Sequence, residues 1–260
     1  MERKNYNNIS VITDGSYRAV QAHELAKELV KLGVEKNVQI SCGLDVVADA
    51  IAAKADFKVN ILDPQSNYDA FDLVVISSHE PHPQHDNIVE VTGLINHISP
   101  EYLEGKQRDF GIGDNMLAVL VGGRHVGGNF NADDARFMAA QLNDINLPLL
   151  ITTSKRTEDA SAKALKEALV VPYVFYDFNH DGQAANPYEA MLASCTRVMV
   201  TADSARMVSE AASSGRELFI FWPKQRHFSY DALCDAVLAA KRPLQESRRI
   251  AEIIKSRLQK

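Results

Sequence analysis

Val198-Met-Val-Thr-Ala-Asp-Ser-Ala-Arg-Met-Val-Ser-Glu-Ala-Ala-Ser-Ser-Gly215 is the stretch that decides the fold. It opens on a short apolar run ending at Thr201, which reads as a strand. Asp203 or Ser204 then caps a helix over Ser204–Ser214, and Gly215 closes it. Val208, Ala211 and Ala212 share the inner face of that helix. A second strand, Leu218–Phe221, follows at once. Strand, helix and strand in so short a space make a βαβ unit, which requires a parallel sheet covered on both faces.

The same alternation extends upstream. Leu117–Val121, Leu149–Thr153 and Tyr173–Tyr176 read as strands, with helices over Ala132–Leu142, Ala160–Leu169 and Pro187–Ser194. The first half repeats it with strands at Ile9–Thr13, Val38–Cys42, Phe57–Leu62, Leu73–Ser77 and Ile88–Thr92. Its helices are Val20–Leu32 and Val46–Ala53. Turn pairs such as Asp14-Gly15, Asp63-Pro64 and Ser99-Pro100 mark the boundaries. The polar, glycine-bearing stretch Gln107–Asn115 separates the halves, so domains are expected over 1–112 and 113–244. In the tail 245–260, Ile250, Ile253, Ile254 and Leu258 recur at helical spacing, which predicts an amphipathic helix packed on one domain. The expected class is α/β, with two parallel-sheet domains and a C-terminal amphipathic helix.

Composition narrows the function. The 260 residues carry 28 Lys+Arg against 34 Asp+Glu, a formal charge of −6, with no basic block. That disfavours a general nucleic-acid binder. Cys42, Cys195 and Cys234 are scattered and suggest neither a disulfide framework nor a structural zinc site. No apolar run approaches the roughly 18 residues of a membrane span, and no signal-type segment opens the chain. A cytoplasmic location is the default, with peripheral membrane contact left open and no integral association expected. Oligomeric state is not legible.

Ligands of parallel sheets bind beyond the carboxyl ends of the strands, where helix N-termini offer N–H groups. After Leu117–Val121 stands Gly122-Gly-Arg-His-Val-Gly-Gly128, whose glycines let backbone approach a ligand and whose Arg124 adds a cation. The spacing is not GxGxxG, and Asn129 stands where a P-loop needs lysine, so nicotinamide binding and P-loop ATPase activity lose support. After Leu149–Thr153 stands Ser154-Lys-Arg-Thr157, either a solvated capping turn or a phosphate ligand. In the opening stretch Asp203, Arg206 and Glu210 share one helix side, with Glu210 about 10 Å along the axis from Asp203. That spacing suits phosphates at the helix start and ribose hydroxyls on Glu210; the other reading is a well-capped surface helix. Asp203 opposes a diphosphate on the cap, so Arg156 or Arg124 has to offset it.

In the first half, Leu73–Ser77 leads into Ser78-His-Glu-Pro-His-Pro-Gln-His-Asp86. Pro81 and Pro83 forbid a helix there, so the three histidines do not share a face, and no metal site is expected. His79 or Glu80 is a candidate general base. Asp14, after the first strand, is either a turn former or a third candidate. GxSxG, HExxH and EF-hand patterns are absent. His97, His180 and His227 have no spacing partner.

Several motifs resemble a known family in order along the chain. They are Phe71-Asp-Leu-Val-Val75, His79-Glu80, Asn87, Thr92-Gly93, Val119-Leu-Val-Gly-Gly123, Thr152-Thr-Ser-Lys-Arg-Thr157, Asn186-Pro-Tyr188, Thr201-Ala-Asp-Ser204, Met207-Val-Ser-Glu210 and Gly215. The family is that of the mitochondrial-fission elongated-mitochondria proteins. Its bacterial members are labelled predicted nucleoside-diphosphate-sugar epimerases, and its plant members are described as acting in mitochondrial fission at the organelle surface. The family in turn resembles two-domain GT-B glycosyltransferases. The resemblance implies two Rossmann-like domains facing across a cleft, the second holding a nucleotide sugar of UDP type. Gly122, Gly123, Arg124, Ser154, Lys155, Arg156 and Thr157 would then serve the diphosphate with Asp203, Ser204 and Met207, and Glu210 the ribose. No metal or further cofactor is implied. The expected reaction is sugar transfer to an acceptor hydroxyl, with the base drawn from His79, Glu80 and Asp14. Nucleotide-sugar epimerisation and a non-catalytic adaptor are the alternatives. One motif departs: the family's opening, Asp-Gly-Arg-Pro-Gly-His before a glutamine, is here Asp14-Gly-Ser-Tyr-Arg-Ala-Val-Gln21, with one residue fewer before the glutamine and without the second glycine and the histidine. That puts the acceptor half of the site in question and leans toward the adaptor.

Overall fold

In the computed structural model the chain divides into unit 1, Met1–His97 with Gln245–Lys260, and unit 2, Ile98–Leu244. The structure describes residues 1–112, 115–124, 128–182, 186–226 and 228–259.

Unit 1 is built on six strands lying side by side in chain order: β1 (Glu2–Tyr6), β2 (Ile9–Thr13), β3 (Val38–Cys42), β4 (Phe57–Ile61), β5 (Leu73–Ser77) and β6 (Ile88–Val91). β2 to β6 run parallel, and β1 is antiparallel to β2 across a turn in which Asn7 takes φ +55°. β1 lies outside the strand pattern read from the sequence. Its residues Glu2–Asn5 are exposed, so backbone pairing rather than apolar burial makes it a strand. Alternation along β5 sends Leu73 and Val75 to one face and Val74 and Ile76 to the other. The first face is covered by α1 (Val20–Lys31), through Ala22, Leu25, Ala26 and Leu29, and by the C-terminal helix Glu246–Leu258, through Ile250, Ala251 and Ile254. Ala50 of α2 (Val47–Ala52) packs on the second face with Phe71. Lys255 Nζ donates to Leu32 O at 2.8 Å and Arg257 to Asp72 O at 2.8 Å, tying the last helix to this unit.

Unit 2 runs α3 (Pro100–Leu103), β7 (Leu117–Val121), β8 (Gly128–Asn129), α4 (Ala132–Ile145), β9 (Leu149–Thr153), α5 (Asp159–Ala168) and β10 (Tyr173–Tyr176). It continues with α6 (Phe178–Asp181), α7 (Tyr188–Ser194), β11 (Arg197–Thr201), α8 (Ala205–Ser213), β12 (Glu217–Phe221), β13 (Gln225–Arg226) and α9 (Phe228–Ala239). The main sheet has the order β10-β9-β7-β11-β12, all parallel; β8 and β13 form a small antiparallel pair. From β7 the chain steps outward one way through β9 to β10, then returns past β7 to β11 and β12. Right-handed crossovers in opposite directions put helices on opposite faces. Accordingly α4 and α5 pack on the Leu117, Val119 and Val121 face, while α7, α8 and α9 pack on the Ala118 and Leu120 face. The direction reverses between β7 and β11, and that switch point is where this kind of sheet takes ligands.

The domain boundary expected at 112/113 is corrected to 97/98. Ile98 and Leu103 are buried with Ala118, Leu120 and Val200 in the core of unit 2, so the polar stretch after them is a loop within that unit. The tail helix, expected to pack on one of the domains, belongs to unit 1.

Candidate functional site

At the switch point of unit 2 the turns after β7, β9 and β11 are bonded directly to one another. Gly122 N–H donates to Thr201 Oγ1 at 2.8 Å, and Gly123 N–H to Asp203 Oδ2 at 2.7 Å. Arg124 N–H donates to Arg156 O at 3.1 Å, and Thr157 Oγ1 donates to Gly122 O. Glycine is required at both turn positions. A Cβ on Gly122 would collide with the Asp203 carboxylate, and one on Gly123 with the Arg156 carbonyl. Ser154 Oγ accepts from Arg156 N–H at 3.3 Å, and Thr157 N–H donates to Ser154 O at 3.0 Å, closing the β9 turn on itself. Three cations rim this knot: Arg124 and Lys155 are exposed and Arg156 is half-buried.

The turns after β7, β9 and β11 thus lie together, but their polar groups are turned toward one another. The N–H groups of Gly122 and Gly123, expected to meet a diphosphate, are committed to Thr201 and Asp203. The hydroxyl of Thr157 is committed to the Gly122 carbonyl. Residues 125–127 of the glycine-bearing loop, and His227, lie outside the described residues. Asp203 is fully buried, and its Oδ1 has no hydrogen-bond partner among the described residues. Burial pushes its carboxyl up from the ordinary range, opposed by the Thr201 hydroxyl, the Gly123 N–H and the nearby Arg156.

Ser204 caps α8 as expected, its Oγ accepting from Met207 N–H at 3.5 Å. The side chain of Met207 packs against the core of unit 2. Glu210 is 4% exposed, and both its oxygens are engaged: Oε1 accepts from Arg206 Nε at 2.8 Å and Oε2 from Tyr188 Oη at 2.8 Å. Tyr188 is pushed well above the usual phenol range, first by its burial and then by the Glu210 charge. A ribose on Glu210 therefore has to share these oxygens with Arg206 and Tyr188 or displace one of them. Tyr188 and Thr201 were visible in the sequence only inside motifs. The signal for their roles is the strand order, which no local pattern carries.

The unit 1 candidates gather at the carboxyl edge of its sheet. Asp14 Oδ1 accepts from Ser16 N–H at 2.8 Å, the geometry of a turn former, with Gly43 packed against its carboxyl. Glu80 Oε1 is paired with Arg18 Nη1 at 2.9 Å. His79 Nδ1 lies 2.6 Å from Ser77 Oγ, and Nε2 has no partner among the described residues. Burial lowers the His79 pKa from 6.5, with Arg18 adding to the effect and Glu80 opposing it. Asp14 and Glu80 are each held through one oxygen, by an amide and by a guanidinium, whereas His79 keeps one ring nitrogen clear of any partner among the described residues. The other two histidines of the segment part company with it. His82 Nε2 meets Glu90 Oε1 at 3.3 Å, and His85 Nε2 meets Asp69 Oδ1 at 3.3 Å while stacking on Tyr68. Ser77 and Arg18 were not singled out from the sequence; the burial of Ser77 at the strand end is the signal that could have found the first. Burial pushes the Cys42 and Cys195 thiols up to about 12, which makes them inert packing groups. Among the described residues, no helix is long and apolar enough to cross a membrane.

Fold and site define a two-unit α/β protein with parallel sheets, whose second unit carries a doubly wound sheet rimmed by cations at its switch point. The chain belongs to the mitochondrial fission ELM1 family, whose family model matches residues 4–258. It is similar to Uncharacterized protein RP120 of Rickettsia prowazekii (strain Madrid E), 27% identical over 253 residues, covering 76% of this chain and 72% of that one. It is also similar to Mitochondrial fission protein ELM1 of Arabidopsis thaliana, 25% identical over 222 residues, covering 70% of this chain and 51% of the plant protein. Among solved structures, the glycosyl transferase family 9 protein from Veillonella parvula DSM 2008 matches with a TM-score of 0.47 and 11% identity, over 86% of this chain and 84% of that one. TarM matches with a TM-score of 0.39 and 10% identity, over 90% of this chain and 54% of that one.

Proposed function

We propose that unit 2 binds a nucleoside diphosphate sugar and that the protein transfers the sugar to an acceptor hydroxyl. The observation that carries this reading is the cation-rimmed knot of turns at the β7/β11 switch point, where Arg124 and Arg156 are joined backbone to backbone beside the start of α8. Side chains rather than the glycine amides take the diphosphate. Arg124, Lys155 and Arg156 meet its charge in the ground state and the larger charge on the leaving group, helped by the α8 N-terminus. As the acceptor oxygen attacks the anomeric carbon, its proton passes to His79 Nε2, and the bond to the diphosphate oxygen breaks.

Calorimetry with UDP, GDP, CMP and ADP sugars tests the reading. Saturable binding that Arg156→Ala abolishes supports it. No binding of any of them at millimolar concentration removes it. The adaptor reading draws on a specific observation too: the Gly122 and Gly123 amides and both Glu210 oxygens are satisfied within the protein. A scaffold keeps its partner when Glu210 is replaced by Ala, whereas a nucleotide enzyme loses ligand affinity. Isomerised sugar formed without any acceptor would instead favour epimerisation.

A further inference from the structure

We infer that Ser77 is the positioning residue for His79, holding the ring as its Nδ1–H tautomer so that Nε2 is the nitrogen that takes a proton. This rests on the reading of His79 as the acceptor's base, and it adds the residue that orients that base. Ser77 is the last residue of β5 and is 4% exposed. Its Oγ lies between two groups, 2.7 Å from Gly93 O and 2.6 Å from His79 Nδ1. A hydroxyl has one proton to give. The Gly93 carbonyl can only accept, so the proton goes there, and Oγ is left with lone pairs for the imidazole. His79 Nδ1 must then carry the hydrogen, and in a neutral ring that leaves the lone pair on Nε2.

The surroundings agree with a neutral ring. Burial disfavours the imidazolium, and the Arg18 cation adds to that; Glu80 pulls the other way but is held on Arg18 at 2.9 Å. The outward nitrogen meets no protein group among the described residues, so it is the one open to an acceptor. The chain thus builds a two-step support, the carbonyl of Gly93, two residues beyond β6, fixing Ser77 and Ser77 fixing His79.

The test is nitrogen–proton correlation NMR on the full chain labelled with 15N-histidine, at about pH 8 where an ordinary imidazole is neutral. The His79 signals are those lost in His79→Asn. The expected pattern is a pyrrole-type Nδ1 and a pyridine-type Nε2. Ser77→Ala shifts the tautomer ratio about tenfold toward Nε2–H, the loss of one hydrogen bond. Ser77→Thr, which keeps the hydroxyl, restores the pattern. An Nε2–H ring in the unaltered protein, or an Nδ1–H ring that survives Ser77→Ala, overturns the inference. If Ser77→Ala does not fold, the tautomer of the unaltered protein decides alone. In a transfer assay Ser77→Ala lowers kcat about tenfold at unchanged donor KM. An Nδ1–H ring in a protein that transfers no sugar supports the role of Ser77 and counts against the proposed reaction.

Discussion

Asp203 Oδ2 accepts the amide hydrogen of Gly123 at 2.7 Å, so the turn after the first parallel strand of unit 2 is held by the turn after the fourth. The second oxygen of the same carboxyl is buried without a partner among the described residues. That imbalance has a cost, and its sign can be read from pH.

The folded protein holds the Asp203 proton more tightly than the unfolded chain, where a carboxyl titrates near 3.8. Its contribution to stability is therefore complete below that value and is lost as pH rises through the higher folded pKa. Thermal denaturation is expected to show the unaltered protein gaining stability relative to Asp203→Asn as pH falls from about 7 to about 4. A difference that stays constant with pH would sink this account. Gly123→Ala, which drives a methyl into the Arg156 carbonyl, should cost about 1–3 kcal/mol by denaturant unfolding.

Tyr188→Phe removes the phenol from Glu210 Oε2. A hydrogen bond to a charged group of this kind is worth about 1.5–3 kcal/mol, and stability should fall by that order. If a ribose uses Glu210, the same variant binds a nucleoside diphosphate more tightly, because the internal competitor is gone, while Glu210→Ala binds it less. Calorimetry that finds both variants unchanged in affinity would refute the ribose assignment.

Gln39 in β3 is 1% exposed, and neither end of its amide finds a partner among the described residues. Its register neighbours are Ser10 and Lys58. Gln39→Met fills the same space without a desolvated amide and should stabilise the protein by roughly 1–3 kcal/mol. That corresponds to a rise of about 2–4 °C in Tm for each kcal/mol. A lower Tm would mean that the amide is satisfied in solution.

His79, with its pKa lowered from 6.5, should leave the acid limb of any kcat/KM profile below pH 6.5. Replacing Glu80 by Gln removes the charge that opposes this shift and should move the limb further down. An acid limb above neutrality would exclude His79 as the base.

Much of this architecture was legible because burial writes itself into composition. Leu117–Val121, Leu149–Thr153 and Leu73–Ser77 are apolar runs buried on both faces, and each is the strand its residues predict. β1 was not legible, since Glu2–Asn5 face solvent and belong to a sheet only through their backbone. The boundary was misplaced because polarity marks a loop whether it joins two units or lies inside one. At the site, the residue types at Gly122, Asp203 and Glu210 could be read, and so could the strand ends that carry them. Their partners could not. Whether Gly123 offers its amide to a ligand or to Asp203 depends on β11 lying beside β7, and that adjacency joins segments 80 residues apart.

The helix Glu246–Leu258 completes the apolar layer begun by Leu25 and Leu29. On the ribosome, unit 1 therefore waits for a segment made only after unit 2. Until then those leucines stand bare to water while unit 2 emerges, and a chain cut short before Ile250 leaves them so permanently. Nascent and truncated forms should accordingly be clients of chaperones, and a peptide spanning 246–258 supplied in trans should rescue the solubility of the truncated chain.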